Sequence, residues 1–148
     1  MSGVQLRAGF SSEAIRLHLA RLALADAKGY ITAREDIGEY MVGEVQDNLD
    51  GQKLFDGSAM PQSKAAVARR GKTLIDKHHL YDSYVFQLSQ GGVEIGSDRI
   101  YAAIHHFGGE TGSKRGRFTM TERPVLGVGP VQERRIGDIL IADIEAMQ

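Results

Sequence analysis

Two histidine pairs, His78-His79 and His105-His106, are the side chains here best suited to making or breaking bonds. Imidazole passes protons near neutral pH and is the commonest metal ligand. The spacing argues against a shared ion, because adjacent residues on a helix point about 100° apart. No HExxH run supplies the two-histidine face of a metalloprotease. The structural alternative is a histidine packed on the following turn, its tautomer set by a backbone carbonyl. No GxSxG elbow presents a serine nucleophile. The chain has no cysteine, which removes thiol catalysis and disulfides and suits a reducing cytosol. Gly112-Ser113-Lys114-Arg115-Gly116 superficially resembles a phosphate cradle, but it lacks the GxxxxGK[ST] pattern and a following helix. These residues therefore predict no catalytic, cofactor or metal site.

Charge placement says more. Between Thr32 and Asp56 stand seven acids, Glu35, Asp36, Glu39, Glu44, Asp47, Asp50 and Asp56, against Arg34 and Lys53. Between Lys64 and Lys77 stand five bases, Lys64, Arg69, Arg70, Lys72 and Lys77, against Asp76. Charge runs usually decorate solvated faces. The sharper expectation is a head-to-tail contact between copies, with Glu39, Glu44 and Asp47 facing Arg69, Arg70 and Lys72 of a neighbour. Heterologous contacts of that kind close into rings, and complementary charge fixes register and speeds encounter. Lys114, Arg115 and Arg117 form a basic loop that could touch DNA or a partner. Three phosphate contacts change affinity only about 40-fold between about 50 and 200 mM salt, so one copy alone is a weak DNA binder.

The elements that must position these residues follow from periodicity. Val4, Leu6, Ala8 and Phe10 alternate as a strand over 3–10. Ile15, Leu19 and Leu22, widened by Leu17 and Leu24, predict an amphipathic helix to about Ala27, stopped by Gly29. Thr32 with Glu35 reads as a capping box opening a second helix, with Ile37, Met41, Val45 and Leu49 at four-residue steps and Gly51 at its end. Residues 51–63 read as a loop, 64–72 as a short basic helix, and Ser83–Ser89 with Val93–Ser97 as a hairpin about Gly91-Gly92. Ile100, Tyr101, Ile104 and Phe107 recur at helical spacing, and Gly108-Gly109 ends that helix. Residues 108–116 read as a loop; 117–120 and 124–128 read as extended. Pro130 opens a last helix carrying Ile136, Leu140 and Ile144. The expected class is α+β: two N-terminal helices and a C-terminal helix packed against a small antiparallel sheet.

Size and composition agree. At 148 residues, 42% hydrophobic and 25% charged, the chain suits one domain over 1–148. A formal net charge of −1 gives no global attraction to nucleic acid or an acidic membrane. No apolar run is long enough to span a bilayer, and no signal pattern stands at the N-terminus, so a soluble protein with no membrane partner is expected.

Tyr101-Ala102, Ile104-His105 and Phe107-Gly108-Gly109, preceded by Ile95-Gly96-Ser97, resemble the signature of the virion-morphogenesis, or tail-completion, family of Mu-like phages and prophages. Lys72-Thr73-Leu74-Ile75-Asp76, with Leu80 and Ser83, resembles a second run of that family. Arg123-Pro124-Val125-Leu126-Gly127 resembles a third, and together they cover roughly the C-terminal two thirds of the chain. The sequence departs where Lys77-His78 replaces the usual threonine-glycine, where Thr121-Glu122 precedes Arg123, and where Asp56–Arg70 lacks the usual tryptophan. The resemblance implies a non-enzymatic structural protein without cofactors. It implies a virion location at the head–tail junction or tail, assembled in the host cytoplasm. The implied partners are further copies in a ring, other neck, head or tail proteins, and packaged DNA through non-specific contact. Tyr101, Ile104, His105, Phe107, Gly108, Arg123 and Pro124 are its structural motif positions here. Two other classes compete: a small nucleic-acid-binding module using the basic loop, and a histidine-dependent metal hydrolase.

Overall fold

The computed structural model describes residues 12–90 and 92–147, so the strand expected over 3–10 lies outside the described residues. Among the described residues ten elements follow one another: α1 (Ser12–Ala27), α2 (Ile31–Gly51), α3 (Lys64–Ala68), a 3-10 turn (Tyr81–Ser83), β1 (Tyr84–Ser89), β2 (Gly92–Ser97), α4 (Ala102–Phe107), β3 (Gly109–Ser113), β4 (Gly116–Met120) and α5 (Pro130–Glu145). The class is α+β, with two separate two-stranded antiparallel sheets.

Helix α2 organises the rest. Ile37, Met41, Val45 and Leu49 are all buried, as their four-residue steps predict. Its start differs from the expected capping box. Gly29 and Tyr30 both take positive φ, the helix begins at Ile31, and no side chain caps it. Thr32 thus lies inside the first turn, where it cannot cap. On one side α2 carries the β1–β2 hairpin, paired from Tyr84↔Ser97 to Ser89↔Gly92. Gly38 makes that approach possible, because a Cβ there would collide with the Phe86 ring. Arg34 Nη1 pins the far end, donating to the carbonyls of Ser89 (2.6 Å) and Gly92 (2.9 Å).

Helix α5 packs on α2 and starts at Pro130, as expected. Its anchor is Gln132, a buried polar residue. Its Oε1 accepts from Gly129 N at 3.0 Å, and its Nε2 donates to Phe55 O at 2.9 Å and to Glu44 Oε2 at 3.2 Å. One side chain so ties α5, the 51–63 loop and α2 together. Helix α1 is less well covered: Leu17, Leu19 and Leu24 stay largely exposed, and Arg21 Nη1 reaches Met147 O at 3.1 Å. Among the described residues no helix is long and apolar enough to cross a membrane.

Three local expectations need correction. Residues 109–113 form strand β3, paired with β4 from Gly109↔Met120 to Ser113↔Gly116, where a loop is expected. Glycine hides the strand: Gly109 and Gly112 both have positive φ, and a Cβ at Gly112 would strike the Gly116 carbonyl. The extended run 124–128 joins neither sheet. Last, Ile100 (97% exposed) and Phe107 (73%) do not pack α4 on a sheet. The helix begins only at Ala102, so Ile100 and Tyr101 precede it, and buried Ala102 with half-buried Ile104 make its inner face.

Candidate functional site

The motif residues converge below the C-terminal end of α2. Gln52, with left-handed φ of 52°, follows that helix and offers its side-chain amide as a strand edge. Oε1 accepts from Thr73 N at 2.7 Å, while Nε2 donates to Thr73 O at 3.1 Å and to Leu49 O at 2.6 Å. Thr73 is fully buried, and its Oγ1 accepts from Ser63 N at 3.1 Å. Ile75, Leu80 and Tyr84 join Val45, Leu49, Met60, Ala102 and Val125 in the core. Ser83 Oγ lies 2.7 Å from Leu80 O and 2.6 Å from Ser97 Oγ, fastening the 3-10 turn to β2. His78, which stands where glycine is usual, has φ of 61°, the backbone that glycine adopts without strain.

The third motif closes the opposite wall. Arg123 N donates to His105 O at 2.8 Å, and Pro124 O accepts from Phe55 N at 3.0 Å. Val125 O accepts from Asn48 Nδ2 at 3.0 Å. Gly108 is required by geometry: φ is 69°, and a Cβ would lie 2.8 Å from Met120 O. Arg123 itself is 5% exposed. Its Nε donates to Pro61 O at 2.6 Å and its Nη1 to Thr121 O at 3.2 Å. No ion pair to a carboxylate forms among the described residues. Burial pushes the guanidinium below its ordinary pKa. His105 lies beside it; burial first, and the Arg123 charge second, hold its pKa below the usual imidazole value. Its Nδ1 is buried without a partner among the described residues.

Between these two walls runs a groove of about 880 Å³. Arg123 and His105 lie along one side, Lys64, Lys77 and His79 along the other, with Phe118 of β4 at its edge. One histidine from each sequence pair thus faces the same space. Among the described residues, however, no three histidines or carboxylates gather as metal ligands. His78 and His106 instead stack edge-on against Tyr81 and Phe107, at 5.4 and 4.6 Å between ring centroids.

The charged residues divide. Glu39 and Asp47 are exposed on α2, whereas Glu44 is half-buried and bonded by Gln132. Arg69 is occupied within the chain: Nη2 donates to Lys72 O (2.6 Å) and Ile75 O (2.9 Å), and Nε stands 3.9 Å from Asp76. Lys72 Nζ donates to Asp50 O at 2.8 Å and lies 3.7 Å from the Asp50 carboxylate. The acidic and basic runs therefore already touch inside one subunit, and Arg70 is exposed. Lys114 and Arg115 occupy the exposed turn of β3–β4, with Arg117 at the start of β4. Arg123 stands outside the charge runs, although Lys64 and Lys77 of the same groove belong to the basic one. The signal that could have found them is a lone arginine before proline in a segment otherwise apolar from Pro124 to Val128.

Residues 10–145 match the phage virion morphogenesis family. The chain belongs to that family. It is also similar to the Mu-like prophage FluMu G protein 2 of Haemophilus influenzae, with 32% identity over 82 residues, or 55% of this chain. The match spans 59% of that relative's own length. No solved structure is detectably similar to the chain. Family membership reaches further toward the N-terminus than the three motifs do, taking in all of α1 and α2.

Proposed function

We propose that this member of the phage virion morphogenesis family is a structural subunit of virion assembly that works by surface contact, with no bond made or broken. The observation that supports this best is the family match over residues 10–145. The fate of the motif residues agrees with it. Thr73, Ile75, Ser83, Arg123 and Pro124 are spent on packing and backbone ties, as in a scaffold whose business is its surface. In this reading the chain is one domain that self-associates, as a ring, at the head–tail junction or at tail completion. It meets neck, head or tail proteins there, and Lys114, Arg115 and Arg117 face packaged DNA or a partner. The particle is assembled in the host cytoplasm.

The test is genetic and structural together. Inactivating the gene in a lysogen that yields particles is expected to leave DNA-filled heads and tails unjoined or tails unfinished in electron micrographs. Intact, infectious particles in its absence would overturn the reading. Turnover of a substrate by purified protein, lost on replacing a single histidine, would overturn its non-catalytic part.

A further inference from the structure

Arg123 is the anomaly of this molecule. A cation that is 5% exposed normally sits against a carboxylate, because burying an uncompensated charge is costly. Here the partners are carbonyl oxygens of Pro61 and Thr121, and Nη2 has no hydrogen-bond partner among the described residues. Beside it His105 Nδ1 is buried and without a partner among the described residues. Both lie on a groove of about 880 Å³ whose far rim adds Lys64 and Lys77. Asp76 also lines it, though 3.9 Å from Arg69 Nε, so the excess in the groove is positive. The shape is wide and the net charge is positive. Such a place suits an acidic surface of a macromolecule better than a small apolar ligand.

The chain carries that surface itself. On α2, Glu35, Glu39 and Asp47 are exposed on one row of four-residue steps, which drifts about 40° around the axis at each step. Gly43 lies in the middle of the row with open space where its Cβ would stand. The flank is therefore notched as well as negative, and a neighbour's side chain can approach the helix backbone there. From Glu39 to Asp47 the row runs about 12 Å along the helix.

We infer that the Arg123 groove is the receiving half of a contact between copies of this chain, filled by the Glu35–Asp47 flank of α2 from the next subunit. The inference rests on the self-association proposed above and sharpens it. The receiving residues are Arg123, Lys64 and Lys77; Arg69 and Lys72 hold their own subunit's loop and are not free to reach a neighbour. A carboxylate placed at Arg123 Nη2 supplies the missing counter-charge, a charge-assisted bond of the stronger class.

The experiment is a charge swap read by sedimentation velocity. Three proteins are compared with the wild type: Lys64→Glu with Lys77→Glu, Glu39→Lys with Asp47→Lys, and all four changes together. All four positions are exposed, so folding is preserved, and a melting curve checks each variant. The expected result is self-association of the wild type that weakens with salt, a loss of about tenfold or more in either double variant, and recovery in the quadruple variant. Wild-type association untouched by either swap would overturn the groove contact while leaving self-association standing. Loss on the groove side alone would overturn the α2 flank as occupant. A wild type that stays monomeric at every concentration would overturn both readings at once.

Discussion

The two hairpins of this chain have the same length of strand pairing, give or take a residue, and opposite fates. β1–β2 is laid on α2, with Phe86 seated over Gly38 and its turn end held by Arg34. β3–β4 has no such backing: Phe118 is 56% exposed, and the turn at Lys114-Arg115 stands in solvent. A two-stranded hairpin alone is marginal in water. The first is therefore part of the fold, and the second is a limb attached at its root, where Gly108 lies close against Met120 and Glu122 and Arg123 N donates to His105 O. Sequence around a hairpin does not decide this; a glycine more than forty positions earlier on a helix does.

Gly38→Val should give the largest effect, since its side chain must displace Phe86 from α2. A loss of about 3 kcal/mol or more is expected in urea unfolding. An unchanged midpoint would show that β1–β2 does not depend on α2. Removing core volume beneath the same hairpin is next: Val45→Ala, at a fully buried position, should cost about 2 kcal/mol by the same measurement. Gly112→Ala tests the other hairpin. Hydrogen exchange should quicken at 109–120 while global melting moves little, because strain at positive φ of about 1–2 kcal/mol falls on a unit that opens locally. A large drop in global stability would mean that β3–β4 is as integral as β1–β2.

Acid titration probes the root of the free hairpin. His105 and His106 have folded pKa values below the imidazole reference of 6.5, chiefly through burial. Unfolding therefore takes up protons in that range, and their contribution is complete above pH 6.5 and lost as pH falls below it. Melting temperature should fall between about pH 7 and 5.5, less so in His105→Gln; no change across that window would contradict buried, neutral imidazoles. Smallest of all, Lys114→Ala with Arg115→Ala should alter stability by less than about 0.5 kcal/mol, as an exposed turn allows.

Much of this architecture was legible in the residues themselves. The buried row of α2, the β1–β2 hairpin and the proline start of α5 each follow from a period or a turn signal that packing then honours. Glycine-rich β3 was not, because glycine lowers strand preference, yet the same glycines supply the curvature the strand needs. The tight start of α2 escaped because a left-handed Tyr30 has no composition signal. The charge runs marked real surfaces, but not which members were already taken: Arg69 turns back on the loop just after it, while Lys72 and Glu44 find partners far along the chain that no local pattern reveals. The groove was invisible because its walls come from two separate segments, 62–80 and 101–123, that only the fold brings together.

The amide of Gln52 bears on how quickly anything can dock. By matching both hydrogen-bonding groups of Thr73 it fastens the segment that leads into the Lys64–Leu80 wall to the end of a long helix. A wall fixed in advance need not be ordered by an arriving subunit, so encounter there can turn into lasting attachment without waiting for a loop to settle. Gln52→Glu, which keeps the shape but turns the donor into an acceptor, is the substitution that would set that wall loose.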